Sequence, residues 1–154
     1  MTQTELLQIV TGFIGSFGFA ILFNIRGKKL IFTALGGFLS WTLFVLFKYL
    51  TPNEPIRYFL VAVLISVYAE ILARCLKTPT TTFVISSLIP LIPGGSLYYT
   101  MSNAFRGDLD GFFDKGFYTL QLAVALALGI VLNSAAVKMI LHTAAHFKQK
   151  RSRK

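Results

Sequence analysis

Apolar residues run along this chain in long continuous blocks, without the alternation of a half-buried strand. Leu6–Ile25 holds no ionisable residue over 20 positions, and Leu30–Phe47 holds none over 18. Ile56–Leu76 is a third block, with Glu70 and Arg74 in its second half. Thr78–Phe105 is free of charge over 28 positions but is interrupted by prolines and glycines, and Gly116–Val137 is free of charge over 22. A bilayer core about 30 Å thick takes roughly 20 helical residues. The pattern therefore predicts an all-α integral membrane protein with spans at about 6–25, 30–50, 56–76, 79–105 and 116–140, and a basic tail over 141–154. One membrane domain covers 1–154. A β-barrel is disfavoured because its strands would alternate. Met1–Glu5 carries no Lys or Arg, and no small-x-small site follows Ile25, so the first block reads as a retained helix.

Composition agrees: the chain is 55% hydrophobic and 14% charged, whereas a soluble domain is about 25% charged. The net charge of +9 would fit nucleic acid, but its placement fits membrane topology. With five spans, Arg26, Lys28, Lys29, Arg74, Lys77, Lys138 and the tail bases put 11 basic residues on one face, against Lys48, Arg57, Arg106 and Lys115 on the other. Every acid except Glu70 lies on that second face. Basic residues gather in the cytoplasm, so the N-terminus is expected outside and the C-terminus in the cytoplasm. A re-entrant fourth block would reverse the tail and conflicts with this bias. The single Cys75 offers neither an internal disulfide nor a zinc site.

Small residues recur every four positions at Gly12, Ser16 and Ala20, at Gly36 and Ser40, and at Ala125 and Gly129, with Asn133 next. That spacing lets helix backbones approach in lipid, within the chain or across an oligomer face. Tyr49, Tyr58, Phe117 and Tyr118 flank outer helix ends as an interfacial belt would.

The fourth block is the most informative. It is expected to break at Pro90–Gly95, where Ile89-Pro90-Leu91-Ile92-Pro93-Gly94-Gly95-Ser96 falls mid-span. Pro90 offers no N–H to the Ser86 carbonyl, and Pro93 none to Ile89. Backbone freed in this way must face protein or a wet cavity. A half-helix opening at Gly94, Gly95 and Ser96 would present N–H groups and a partial positive charge to a carboxylate. Ser86, Ser87 and Tyr98 add hydroxyls nearby. The plainer alternative is a proline kink. Glu70 and Arg74 share a helix face four residues apart. They form either a coupling or gating pair or an ion pair near the cytoplasmic boundary, with Arg74 snorkelling outward. Asn24 is a polar helix-end candidate for coupling.

Other signals are weaker. His142 and His146 are four apart but lack a Glu or Cys neighbour to complete a zinc site, so a solvated basic face is the simpler reading. The basic tail fits anionic lipid headgroups better than nucleic acid. No phosphate loop or nucleophile motif is present, so no cofactor is expected and an intramembrane enzyme is disfavoured.

These residues resemble a known family. Gly18-Phe19-Ala20-Ile21-Leu22-Phe23-Asn24, Gly36-Gly37, Ala73-Arg74 with Lys77 and Pro79, and Ile89-Pro90-Leu91-Ile92-Pro93-Gly94 with Tyr98 are similar to the threonine/serine exporters. Within that family the chain resembles the small five-helix half, equivalent to the C-terminal half of fused members. The resemblance implies a larger partner half, small carboxylate substrates (threonine, serine or a dicarboxylate such as succinate), and a bacterial inner, or plasma, membrane location. The reading of the residues themselves places the substrate at Pro90, Pro93, Gly94, Gly95, Ser96 and Tyr98, with Ser86 and Arg74 assisting, and the carboxylate expected there is one that all of the family's substrates carry. Glu70 lies outside the family motif. The alternative function is a scaffold or assembly subunit whose partner alone transports.

Overall fold

The computed structural model describes residues 2–151, with side chains described through Ile140. The order is α1 Gln3–Leu22, α2 Lys28–Lys48, α3 Glu54–Cys75, α4 Thr80–Leu88, a 3₁₀ turn at Ile89–Leu91, α5 Gly94–Arg106 and α6 Leu109–Arg151. No strand occurs among the described residues. α1, α2, α3 and α6 are each long and apolar enough to cross a membrane, and the α4–α5 pair, bent by 58°, passes the same test only when taken together, as a broken span or a re-entrant loop would.

Local chemistry sets the helix ends. Thr2 and Glu5 form a reciprocal capping box on α1. Asn53 caps α3, its Oδ1 accepting from the Ile56 N–H. Asn24, Lys77 and Gly107 close α1, α3 and α5 in the left-handed region, at φ 57°, 48° and 73°. After Asn24 the Ile25 N–H returns to the Ala20 carbonyl at 2.9 Å, and after Lys77 the Thr78 N–H returns to Ala73 at 3.0 Å, as in a Schellman closure.

Packing follows the small residues. α1 and α2 are antiparallel: Lys48 meets Glu5 at 2.9 Å at one end, and Gly12 lies against Trp41 further in. Gly37 lies so close to Ser16 that a Cβ there would overlap the serine side chain, and Gly36 stands in the same relation to Ser87 of α4. α4 is thereby held between α2 and α3, with Phe83 and Leu91 fully buried beside Val61, Ala62, Ile65 and Ala69. On the far side of α3, a Cβ on Gly129 would lie 2.7 Å from Ala62 Cβ and 2.8 Å from the Phe59 carbonyl oxygen.

The same contacts give direction. Tyr118 donates to Glu54 at the start of α3, and Gly129 meets Ala62 further along, so α3 and α6 run parallel. Thr80, opening α4, donates to Glu70 near the other end of α3 at 2.7 Å. Thr100 of α5 touches Thr119 beside Tyr118 at 3.3 Å. The bent pair thus leads from the Glu70 level to the Glu54 level, about 24 Å along α3 at helical rise.

Four expectations need correction. The interruption covers Ile89–Pro93, and Gly94 and Gly95 are ordinary first-turn residues of α5 without positive φ. The Ile89 carbonyl is not orphaned by Pro93, because the Ile92 N–H takes it at 3.1 Å. α6 begins at Leu109 and runs through 141–151, so the backbone of the expected tail continues that helix as far as Arg151. Hydropathy misplaced the start because Asp110, Asp114 and Lys115 are polar yet helical. Tyr58 is buried edge-on to Phe44 at 4.9 Å, with the Arg57 guanidinium 4.9 Å from the same ring, so it does not belong to an interfacial belt. His142, His146 and the tail side chains lie outside the described residues.

Candidate functional site

The sequence candidates separate into three places. The first is the start of α5. Pro93 caps it without a side-chain bond, and the Gly94 N–H turns back to Ile92 at 2.6 Å. The Leu97 N–H reaches the Pro93 carbonyl at 3.0 Å. Gly95 and Ser96 stand in the first turn, where helical N–H groups have no intrahelical acceptor. Gly94 and Gly95 face open space, with nothing within 4 Å of a Cβ position. Tyr98 is 68% exposed and packs edge-on to Tyr99. This half-helix end is chemically suited to a carboxylate, and it opens on the outside of the bundle.

The second place is the corner between α3 and α4. Arg74 donates to Glu70 Oε1 through Nε at 3.0 Å and through a terminal nitrogen at 2.7 Å. Thr80 occupies Oε2 of the same carboxylate. The pair therefore fastens the α3–α4 turn, with the Arg74 side chain about half exposed. Twelve residues, Thr80–Leu91, separate this corner from the α5 start, about 18 Å of helical rise. Arg74 and Gly94 do not form one site. Asn24 sits apart again, exposed, with its Oδ1 accepting from Arg26 Nε at 2.9 Å.

The third place is the seam between α1 and α4. Here Pro90 rests against Gly12, and Ser86 is fully buried with its hydroxyl unpaired. Two grooves open along this seam. One, of about 180 Å³, is lined by Phe23, Ile25, Thr81, Thr82, Ile85 and Ser86. The other, of about 330 Å³, is lined by Gln8, Thr11, Gly12, Trp41 and Pro90. Gln8, Thr11, Trp41 and Thr82 escaped the reading of the sequence. The available signal was the run Gln8, Gly12, Ser16 at intervals of four, which also places polar groups on one helix face. A third hollow, on α6 between Phe112 and Leu120, is apolar throughout. No cluster of three or more metal-ligating side chains occurs among the described residues.

The profile of the family described as Threonine/Serine exporter, ThrE, matches residues 8–136. The chain belongs to the threonine/serine exporter family. The matched stretch takes in both seam grooves, the Glu70–Arg74 corner and the broken helix. Membership makes this a membrane-transport protein, in a family of exporters rather than enzymes. No curated protein and no solved structure matches the chain. Threonine and serine, the solutes in the family's description, carry a carboxylate, an ammonium and a hydroxyl. Hydroxyl-lined grooves and free helix-end N–H groups suit those functions.

Proposed function

We propose that this chain is the smaller half of a two-component exporter of small carboxylate metabolites: threonine and serine, or a dicarboxylate such as succinate. It works with a larger membrane partner in a bacterial plasma membrane. It crosses five times, with the bent α4–α5 pair as the fourth crossing, the N-terminus outside and the C-terminus in the cytoplasm. The distribution of basic residues supports this orientation.

The observation that carries the reading is where the α5 start faces. A partial positive charge near mid-span, open to the side of the bundle, would be costly against lipid alone. A second protein covering it would enclose the carboxylate site at Gly94, Gly95 and Ser96. Arg74, held by Glu70, would be released to meet the anion when that pair opens, and an ion gradient would supply the drive. The exposed apolar face of α6, including Phe117, Val124 and Leu128, offers the partner a broad surface. The basic tail would meet anionic lipid.

The test is a gentle native pull-down followed by reconstitution. A larger exporter-half protein in stoichiometric amount, and threonine efflux from vesicles only when both are present, is the expected result. Recovery of this chain alone as a stable oligomer would remove the two-component reading. Alanine at Pro90, Pro93 or Gly94 should lower efflux severalfold while insertion is retained. Wild-type efflux in all three would remove the α5 site. The scaffold alternative draws on Arg74 being already neutralised by Glu70. It predicts that substitutions at Gly94 and Arg74 leave the substrate preference of the assembled complex unchanged.

A further inference from the structure

The α1–α4 seam carries an arrangement that the α5 site does not explain. The two helices meet antiparallel: Gly12 faces Pro90, while Phe23 and Ile25 beyond the end of α1 face Thr81 and Thr82 at the start of α4. The two grooves therefore occupy opposite halves of one line, with the Gly12–Pro90 contact between them. Each is several times the roughly 30 Å³ that a water takes in the liquid.

Thr11 on the outer groove returns its hydroxyl to the Gln8 carbonyl at 3.0 Å, but two other polar groups along this line are unusual. Elsewhere in the chain, Thr33, Ser40, Thr42, Thr100 and Thr119 return their hydroxyls to a carbonyl in the preceding turn, the common arrangement in apolar helices. Ser16, Ser66 and Ser86 do not: all three are buried and none of the hydroxyls has a partner, but Ser16 lies against Gly37 of α2 and Ser66 on α3, and only Ser86 lines a groove. Ser16 lies one turn from Gly12 and Ser86 one turn from Pro90, which places them at the same depth. Trp41, on the outer groove, also keeps its indole N–H buried and unpaired. A buried polar group without a partner costs about 1–3 kcal/mol. Two of them, Ser86 on the inner groove and Trp41 on the outer, mark positions where a passing solute would supply the missing bonds.

We propose that the α1–α4 seam is the solute path, with an inner groove on Thr82 and Ser86, an outer groove on Thr11 and Trp41, and the Gly12–Pro90 contact as the gate between them. No charged side chain lines either groove. A dianion would lose its hydration without a counter-charge, so the path takes a net-neutral zwitterion in preference to a dicarboxylate. The inference rests on the exporter reading for the presence of a solute, but not on the α5 site.

The test uses the assembled complex in membrane vesicles. Cys75, the single cysteine, is replaced by serine. Single cysteines are then placed at Thr82 and Thr11, and at the outward-facing Ile71 and Leu7 as lipid-side references. A membrane-impermeant maleimide reads water access, because only a hydrated thiol ionises and reacts. Thr82→Cys and Thr11→Cys should react at least about tenfold faster than Ile71→Cys and Leu7→Cys. Serine at three times its dissociation constant should slow the Thr82→Cys reaction about fourfold, and succinate should not. Reaction at Thr82→Cys no faster than at Ile71→Cys, or no protection by serine, overturns the path. Threonine efflux by the cysteine-free complex is measured in parallel. Efflux without protected labelling removes the path and keeps the exporter reading; protected labelling without efflux does the reverse.

Discussion

The first four helices and the last two solve the same problem differently. α1 to α4 bring small residues together until backbones nearly touch, burying Gly12, Ser16, Ala20, Gly36, Gly37 and Ser87. α5 buries Thr100 alone and packs along α6, leaving Leu97, Tyr98, Tyr99, Met101 and Phe105 at the surface. In lipid, apolar exposure is not penalised, so close packing is what holds helices together. By that measure the first region is fixed by its own sequence. The hairpin is fixed to it mainly through α6 on α3.

The sharpest way to break this contrast is Gly36→Leu. Even a Cβ there would lie 2.7 Å from Ser87 Cβ and 3.1 Å from the Tyr68 ring. Overpacking of this kind costs about 3 kcal/mol, so folded protein in a denaturation series in detergent should be largely lost. Gly129→Ala tests the joint between the regions. Its Cβ would press on Ala62 and the Phe59 carbonyl at under 3 Å, for an expected loss of about 1–2 kcal/mol and a lower unfolding midpoint. Smallest is Glu70→Gln. The Glu70–Arg74 pair is partly exposed, and such pairs contribute about 1 kcal/mol or less. A double-mutant cycle with Arg74→Gln that gave a much larger coupling would show the corner to be more than a fastening.

Much of this was legible from residue order. Block lengths gave every long helix, and the prolines of Ile89–Pro93 placed the break within a few residues. Asn24 and Lys77 were noticed for their charge or polarity, whereas their structural work is to take up left-handed backbone. The grooves were not legible, because they depend on how α1 rotates against α4. No local pattern fixes that rotation: it is set by Gly37 receiving Ser16 while Gly36 receives Ser87. The bond from Lys48 to Glu5, 43 residues apart, is hidden for the same reason.

The adjacent glycines of α2 carry one more consequence. Neighbouring positions on a helix point about 100° apart, so this one short stretch seats α1 on one side and α4 on the other. The two walls of the seam are levers on a common fulcrum. Neither slides freely past α2, where a serine is lodged against bare backbone on each side. Parting them means a swing of both about α2, and the Gly12–Pro90 contact, beside that pivot, is the last point to part. A solute would meet a passage that tilts open from one end or the other, as a rocker does, rather than one that dilates evenly along its length.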